Sequence, residues 1–241
     1  MAAPVSTIQT PRIVSHDKWI AERVAFLQKE KEFTRLRDEL SRQRRELPWE
    51  PVTKEYVFDG PEGRESLADL FAGRSQLVVY HLMFRPGAEE ACVGCSFWAD
   101  NFNGIDVHLA HRDTTLLAIS RAPLAKLDAY AKRMGWTFKW VSSGDSDFNY
   151  DFGVSFKPET IEAGTAGYNY GTINGVGEDM PGVSVFYRDP DGNIYHTYST
   201  YSRGIDILNG AYNYIDLTPK GRDEEGQRGM YWLRRRDQYE D

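Results

Sequence analysis

From Ser15 to Glu46 the chain has no glycine and no proline, and apolar residues return at steps of three and four: Ile20, Val24 and Leu27, then Phe33, Leu36 and Leu40. This periodicity predicts one long helix carrying an apolar stripe. Ser15 suits its N-cap, and Pro48 stops it. At about 1.5 Å per residue such a helix is roughly 45 Å long, more than the body of a small domain. It either packs along its own domain or serves as an arm through which two copies form a homodimer. Residues 1–15, with Pro4 and Pro11, read as a loose lead-in.

After residue 50 the pattern becomes one of alternating elements. The expected organisation is therefore a lead-in and charged helix over 1–50, then one domain over 51–241. Glu55–Asp59 predicts a strand, Gly60-Pro61-Glu62-Gly63 a turn, and Ser66–Phe71 a short helix ended by Gly73. Gln76–Phe84 is an almost unbroken apolar run, as expected of a strand buried on both faces. A helix is predicted from Cys92 to about Asn103, a second buried strand over Thr114–Ser120, and a helix from Pro123 to Met134 closed by Gly135. Trp136–Ser142 reads as a third strand. Val183–Arg188 and Asn193–Tyr201 flank Asp189-Pro190-Asp191-Gly192, a hairpin signal. Residues 157–182 stand apart, with glycines at 164, 167, 171, 175, 177 and 182 and no periodic apolar face. A loop of that length is either a functional lid or partner surface, or a tolerated insertion. Strands alternating with helices and closing on a hairpin predict an α/β sandwich, a mixed sheet flanked by helices.

Charge narrows the partners. The 241 residues hold 29 Lys+Arg against 36 Asp+Glu, a formal net charge of −7. Nucleic acid and anionic membranes both need a basic footprint, so neither is expected as a partner. No apolar run approaches the roughly 18 residues of a membrane span. The opening residues show no basic segment followed by an apolar stretch, so a cytoplasmic protein is expected.

The two cysteines, Cys92 and Cys95, fall in a single C-x-x-C, which excludes a disulfide framework and leaves redox chemistry, half a metal site or two idle thiols. Placed after a buried strand and opening a helix, the two sulfurs lie one turn apart and can close a strained ring reversibly. The first thiol meets unpaired N–H groups and the favourable end of the helix dipole, while the second is shielded. Cys92 is then the nucleophile and Cys95 the resolving thiol of dithiol–disulfide exchange. Glu89 and Glu90 stand just before Cys92 and work against a thiolate, so its pKa is expected only modestly below about 8.5. Phe97 and Trp98 are expected to pack the helix on the sheet. Substrates would be protein or small-molecule disulfides, the electron donor is unspecified, and no cofactor is needed, because the electrons reside in the cysteine pair.

Metal binding competes. Cys92-x2-Cys95-x12-His108-x2-His111 approaches a Cys2His2 zinc pattern, with one residue too few between the histidines. Asp145, Asp147, Asn149 and Asp151 alternate like calcium ligands, but Tyr150 and Phe156 occupy the places where that loop needs Gly and Glu. The end of the chain, Met230–Asp241, with Arg234–Arg236 beside Tyr231 and Trp232, is expected to dock on the body or on a second subunit.

The order strand, CxxC, helix, strand, helix, strand, hairpin resembles the thioredoxin-like superfamily. Residues 136–154 (WTFKWVSSGDSDFNYDFGV) are also similar to a peroxiredoxin stretch. Four segments are similar to a bacterial thioredoxin-like family labelled predicted dithiol-disulfide oxidoreductase: EKEFTRLRDELSRQRRELPW, CVGCSFWADNFNG, AISRAPLAKLDAYAKRMGWTFKWVSS and SVFYRDPDGNIYHTYSTYSRG. The resemblance spans residues 15 to about 239. It implies a thioredoxin-like, peroxiredoxin-related fold and an active pair at Cys92 and Cys95. Thioredoxins bury an acid behind that pair; here His81 takes the corresponding stretch, either as a core histidine with a satisfied hydrogen bond, which is the favoured reading, or as a proton acceptor. Their cis-proline has Pro181 as its nearest counterpart, about two residues early. A thiol peroxidase would carry a proline seven residues before the reactive cysteine and a hydroxyl three before it; here Pro86 is six before and Glu89 holds the hydroxyl's place. The last alternative is a binding module that keeps the fold and uses the glycine-rich loop to hold a partner.

Overall fold

The computed structural model describes residues 11–240 except Asp145 and Arg228. It forms two compact units: residues to Pro48 with Ile215–Asp223, and Trp49–Tyr214 with Glu224–Asp241.

The first unit is dominated by α1 (His16–Arg44), capped by Ser15, whose Oγ accepts from the Lys18 N–H. The helix has the expected ends, but none of its residues is buried. It also lacks a single apolar stripe, for a geometric reason. At about 100° per residue, the six-residue step from Leu27 to Phe33 carries the second apolar triplet to another side of the helix.

The second unit is one eight-stranded sheet in the order β1-β8-β7-β4-β5-β6-β2-β3. Its centre is β4 (Gln76–His81), parallel to β5 (Thr114–Ser120), which is parallel to β6 (Lys139–Ser142). On the other side β7 (Gly182–Arg188) runs antiparallel to β4 and turns through Asp189–Asn193 into β8 (Ile194–Tyr201). A parallel strand–helix–strand unit joined to an antiparallel hairpin, with β8-β7-β4-β5 in that order, is the thioredoxin-like arrangement expected from the sequence. The remaining strands extend both edges. β1 (Glu50–Pro51) pairs with β8, and the hairpin of β2 (Val57–Gly60) and β3 (Gly63–Ser66) pairs with β6. The crossover from β4 to β5 contains α2 (Val93–Ala99) and α3 (Asp106–Ala110), and α4 (Leu124–Met134) joins β5 to β6. α4 ends where Gly135 adopts φ +64°, a left-handed cap natural to glycine.

The pleat of the central strands makes two cores. Leu77 and Val79 of β4, Leu117 and Ile119 of β5 and Val141 of β6 meet Phe58, Leu70, Phe71, Phe148 and Phe186 on one face. On the other, Tyr80, Phe84, Phe102, Tyr130, Trp136, Phe138 and Trp140 form a chain of ring contacts under α2 and α4.

The structure departs from the sequence expectation in four places. Residues 63–66 are a strand, because Gly63 at φ +119° turns the chain back onto β2; only Asp69–Phe71 is helical, as a 3-10 turn. The helix after Cys92 ends at Ala99, and α3, which the pattern did not announce, follows Gly104 at φ +84°. The third strand starts at Lys139, after Trp136 and Phe138 have entered the core as irregular chain. Residues 157–182 are no bare loop. They contain α5 (Pro158–Glu162) and a small core in which Tyr168 and Val176 pack with Val154 and Tyr201. The Tyr168 hydroxyl donates to Pro181 O and accepts from the Ser202 N–H, closing the segment on itself.

Phe148 is fully buried against Tyr56, Phe58, Phe152 and Phe186. Phe148→Ala is expected to lower the unfolding free energy by about 3–5 kcal/mol, the usual cost of an aromatic-sized cavity, measured by denaturant titration.

Candidate functional site

The two cysteines sit where β4 delivers the chain to α2. The Cys92 N–H donates to Met83 O (3.0 Å), and the Met83 N–H points at the Cys95 sulfur (3.5 Å). These two contacts tie the dithiol to the end of the central strand. Cys92 is the N-cap residue and is half-buried; Cys95, one turn on, is buried. Both are free thiols.

Their environments separate their protonation. The Cys95 thiol as hydrogen-bond donor holds the Cys92 thiol down, to about 6, against the opposing effect of burial; the N–H groups of Cys95 and Gly94 and the Arg235 guanidinium add to it. The same pairing with Cys92, together with burial, pushes Cys95 well above the ordinary thiol range. The two thiols are thus set apart, Cys92 favouring the charged form and Cys95 the neutral one.

The sequence expectation for Cys92 is corrected first by Cys95, whose thiol hydrogen-bonds the Cys92 sulfur, then by the N–H groups of Cys95 and Gly94, and last by Arg235. Glu90 does not confront the thiolate as a bare carboxylate: Arg133 binds it on one side and Arg235 (2.8 Å) on the other. Glu89 points away, 91% exposed, with Lys126 at 3.6 Å. Arg235 comes from the C-terminal segment and also donates to Ala91 O (2.8 Å) and to the Tyr130 hydroxyl (2.9 Å). Tyr130 is hydrogen-bonded to Ser96 Oγ, which donates to Cys92 O. A chain of four groups thus runs from the guanidinium to the reactive residue's own carbonyl.

The same segment walls the site. Cys92, Val93 and Gly94 face Gly229, Met230, Tyr231 and Leu233 across a cleft of about 340 Å³. A Cβ at Gly94 would lie 3.7 Å from both the Cys92 and Met230 sulfurs, so the absent side chain leaves the thiol open to the cleft. The expected docking of the chain's end is thus onto its own unit, beside the thiol. Phe97 and Trp98 also reach later parts of the chain. Their rings meet Tyr212 and, for Phe97, Trp232, and the Trp98 indole donates to Ile205 O; they seat the later segments on α2.

His81 is not the proton acceptor. Successive residues of a strand point to opposite faces, so Tyr80 faces α2 and Cys95 while His81 faces the other core. There its ring stacks on Phe148 and Phe152, and Nε2 bonds Ser184 Oγ (2.9 Å). Burial lowers its pKa to about 3. The zinc reading is also corrected. His108 and His111 are exposed, on and just after α3, and among the described residues no three His, Cys, Asp or Glu side chains are grouped to hold a metal. Of the calcium-like positions, Asp145 lies outside the described residues, Asp147 and Asp151 pair with Lys54, and Asn149 is buried against Ser143. No described peptide bond is cis, that of Pro181 included. No described helix is long and apolar enough to cross a membrane.

The sequence over residues 8–239 matches one protein family. The chain belongs to it: bacterial protein of unknown function (DUF899). That description carries no activity, so the oxidoreductase label does not come with the family. No curated protein matches the chain. Among solved structures it is similar to peroxidoxin BcpB from Mycobacterium tuberculosis, at 15% identity over 70% of this chain and 97% of that one, TM-score 0.46. It is also similar to Xanthomonas campestris peroxiredoxin Q, at 17% over 70% and 99%, TM-score 0.46. The yeast mitochondrial 1-Cys peroxiredoxin gives 18% over 75% and 79%, TM-score 0.42.

Two outcomes are expected. In an alkylation series against pH, Cys92 of this DUF899 protein reacts with a midpoint near 6, and Arg235→Met moves that midpoint upward; a wild-type midpoint above 8 would contradict the assignment. His81 titrates near 6.5 when unfolded and near 3 when folded. The unfolded chain therefore takes up the proton first as pH falls, and stability present above 6.5 is lost between about 6.5 and 3. Denaturation midpoints at pH 7 and pH 4.5 will fall less in His81→Phe than in wild type.

Proposed function

We propose that this protein is a dithiol–disulfide oxidoreductase. The observation that carries the reading is the divided protonation of two touching thiols, one open to a cleft and one buried behind it. The Cys92 thiolate attacks a substrate disulfide R–S–S–R′, forms Cys92–S–S–R and releases R′S⁻, which takes a proton from water. The Cys95 thiol then attacks the Cys92 sulfur, its proton passing to the departing RS⁻. The products are two substrate thiols and an intramolecular Cys92–Cys95 disulfide, which an external thiol donor reduces again. In a reducing compartment such as the cytoplasm the pair rests as thiols and works as a reductant.

Val93, Met230, Tyr231 and Leu233 present mainly apolar surface beside Cys92. This supports a substrate whose disulfide is flanked by apolar groups, whether in a peptide or a small molecule. The thiol-peroxidase reading has one observation in its favour, the guanidinium of Arg235 near a thiolate held in a half-buried site. In that case Cys92 attacks a peroxide O–O bond, releases water or an alcohol and becomes a sulfenic acid, which Cys95 resolves to the same disulfide.

The test follows the pair by mass and by turnover. Full-length protein equilibrated across a dithiothreitol series is expected to show a reversible two-electron Cys92–Cys95 transition between about −120 and −300 mV. Turnover of a model disulfide with that donor should vanish in Cys92→Ser, while Cys95→Ser should stall as a trapped mixed disulfide. Thiols that never pair would overturn the proposal. Faster turnover with hydrogen peroxide or an alkyl peroxide than with any disulfide would move the peroxidase reading first. Full biological activity in the Cys92→Ser/Cys95→Ser double variant would favour the binding module.

A further inference from the structure

Tyr80 is the one titratable side chain of β4 that faces the dithiol, and its hydroxyl is an anomaly. The residue is wholly buried, its ring edge-on to Phe102 at 5.1 Å. The hydroxyl oxygen has no nitrogen or oxygen partner, although a buried hydroxyl without one normally costs stability. What it faces is the Cys95 sulfur. Phenylalanine would fill the same space without that cost, so the hydroxyl needs a state of the protein in which it is used.

The resolving step supplies that state. Attack on the Cys92 mixed disulfide requires negative charge on the buried Cys95 sulfur, at which the Met83 N–H also points (3.5 Å). A neutral thiol accepts hydrogen bonds weakly; a thiolate accepts them strongly. We propose that Tyr80 is the third member of the dithiol centre, its buried O–H donating to the Cys95 sulfur as that sulfur becomes a thiolate and attacks. The inference rests on the dithiol reading above.

No proton leaves Tyr80. Burial, first of all, and the neighbouring Cys95 keep its phenol well above the ordinary range, so it is a donor throughout. The proton of Cys95 passes to the departing substrate thiolate, and atoms and charge balance without a further base. The titratable groups facing Cys95 are Cys92 from α2, Tyr80 from β4 and Tyr168 from the glycine-rich segment. Of these, Tyr80 is the group placed to donate from behind the sulfur when Cys92 is already occupied in the mixed disulfide.

The experiment uses full-length reduced protein and an aromatic disulfide that releases a coloured thiol, followed by stopped flow. Wild type should release two equivalents in two phases, the first from Cys92 attack and the second from Cys95 resolution. In Tyr80→Phe the first phase is expected unchanged, and the second slower by about tenfold or more, the size of a lost hydrogen bond to a charged acceptor. Its pH midpoint should also move upward. A site-specific 3-fluorotyrosine at residue 80, the same shape but a stronger donor, should move that midpoint the other way. This second variant keeps the test open if Tyr80→Phe fails to fold. A second phase with the same rate and midpoint in either folded variant overturns the role of Tyr80. A single phase with no Cys92–Cys95 disulfide in wild type overturns the dithiol reading, and the role of Tyr80 with it.

Discussion

Two sulfurs in contact cannot both carry a negative charge, because in a partly dry site their repulsion far exceeds what water would allow. That constraint organises the surroundings of Cys92 and Cys95. Whatever favours charge on one disfavours it on the other, so the pair needs an asymmetric setting. The end of the central strand supplies it: Met83 receives the Cys92 N–H and aims its own N–H at Cys95, fixing which thiol faces out. Met83 lies two residues beyond β4, which is held between β5 on one side and β7 on the other.

The alternation of that strand assigns different work to adjacent residues. Tyr80 belongs to the aromatic layer under the helices and reaches the dithiol; His81 belongs to the opposite core and is held by Ser184 among phenylalanines. A proton-transfer role for His81 would require crossing the sheet. The acid that thioredoxins bury behind their active pair is represented here by a phenol, which can donate a hydrogen bond but gives up its proton only with difficulty. In the proposed exchange such a phenol would polarise a sulfur, leaving the substrate's own thiolate as the proton's destination.

Much of this was legible in the sequence. Unbroken apolar runs located β4 and β5, Asp189-Pro190-Asp191-Gly192 located the hairpin, and the C-x-x-C after a buried strand located the dithiol. Local apolar pattern failed where a partner decided the outcome: residues 63–66 became a strand because β2, just before them, was available to pair, and the glycine-rich segment folded because Tyr168 found Pro181 and Ser202. The charge around Cys92 was misjudged for the same reason. Glu89 and Glu90 are neighbours in sequence, whereas Arg235 is 144 residues beyond Ala91, and no local spacing relates them. Tyr80 was within reach of simple parity: if Val79 and His81 point one way, the residue between them points to the helix that begins with Cys92.

The distance of Arg235 along the chain also orders events in time. A polypeptide emerging from the ribosome has made β4, α2, both cysteines and every strand of the sheet before Arg235 is added. Until the C-terminal segment settles against Ala91, Tyr130 and Glu90, Glu90 keeps Arg133 but lacks its second cation, and the Tyr130 hydroxyl lacks the guanidinium it accepts from. The Cys92 thiol then keeps the larger supports, the Cys95 thiol and the N–H groups of Cys95 and Gly94, and lacks the smallest, the Arg235 charge. The cation and the wall of the cleft formed by Met230, Tyr231 and Leu233 therefore reach Cys92 together, after every strand that positions the thiol has been made.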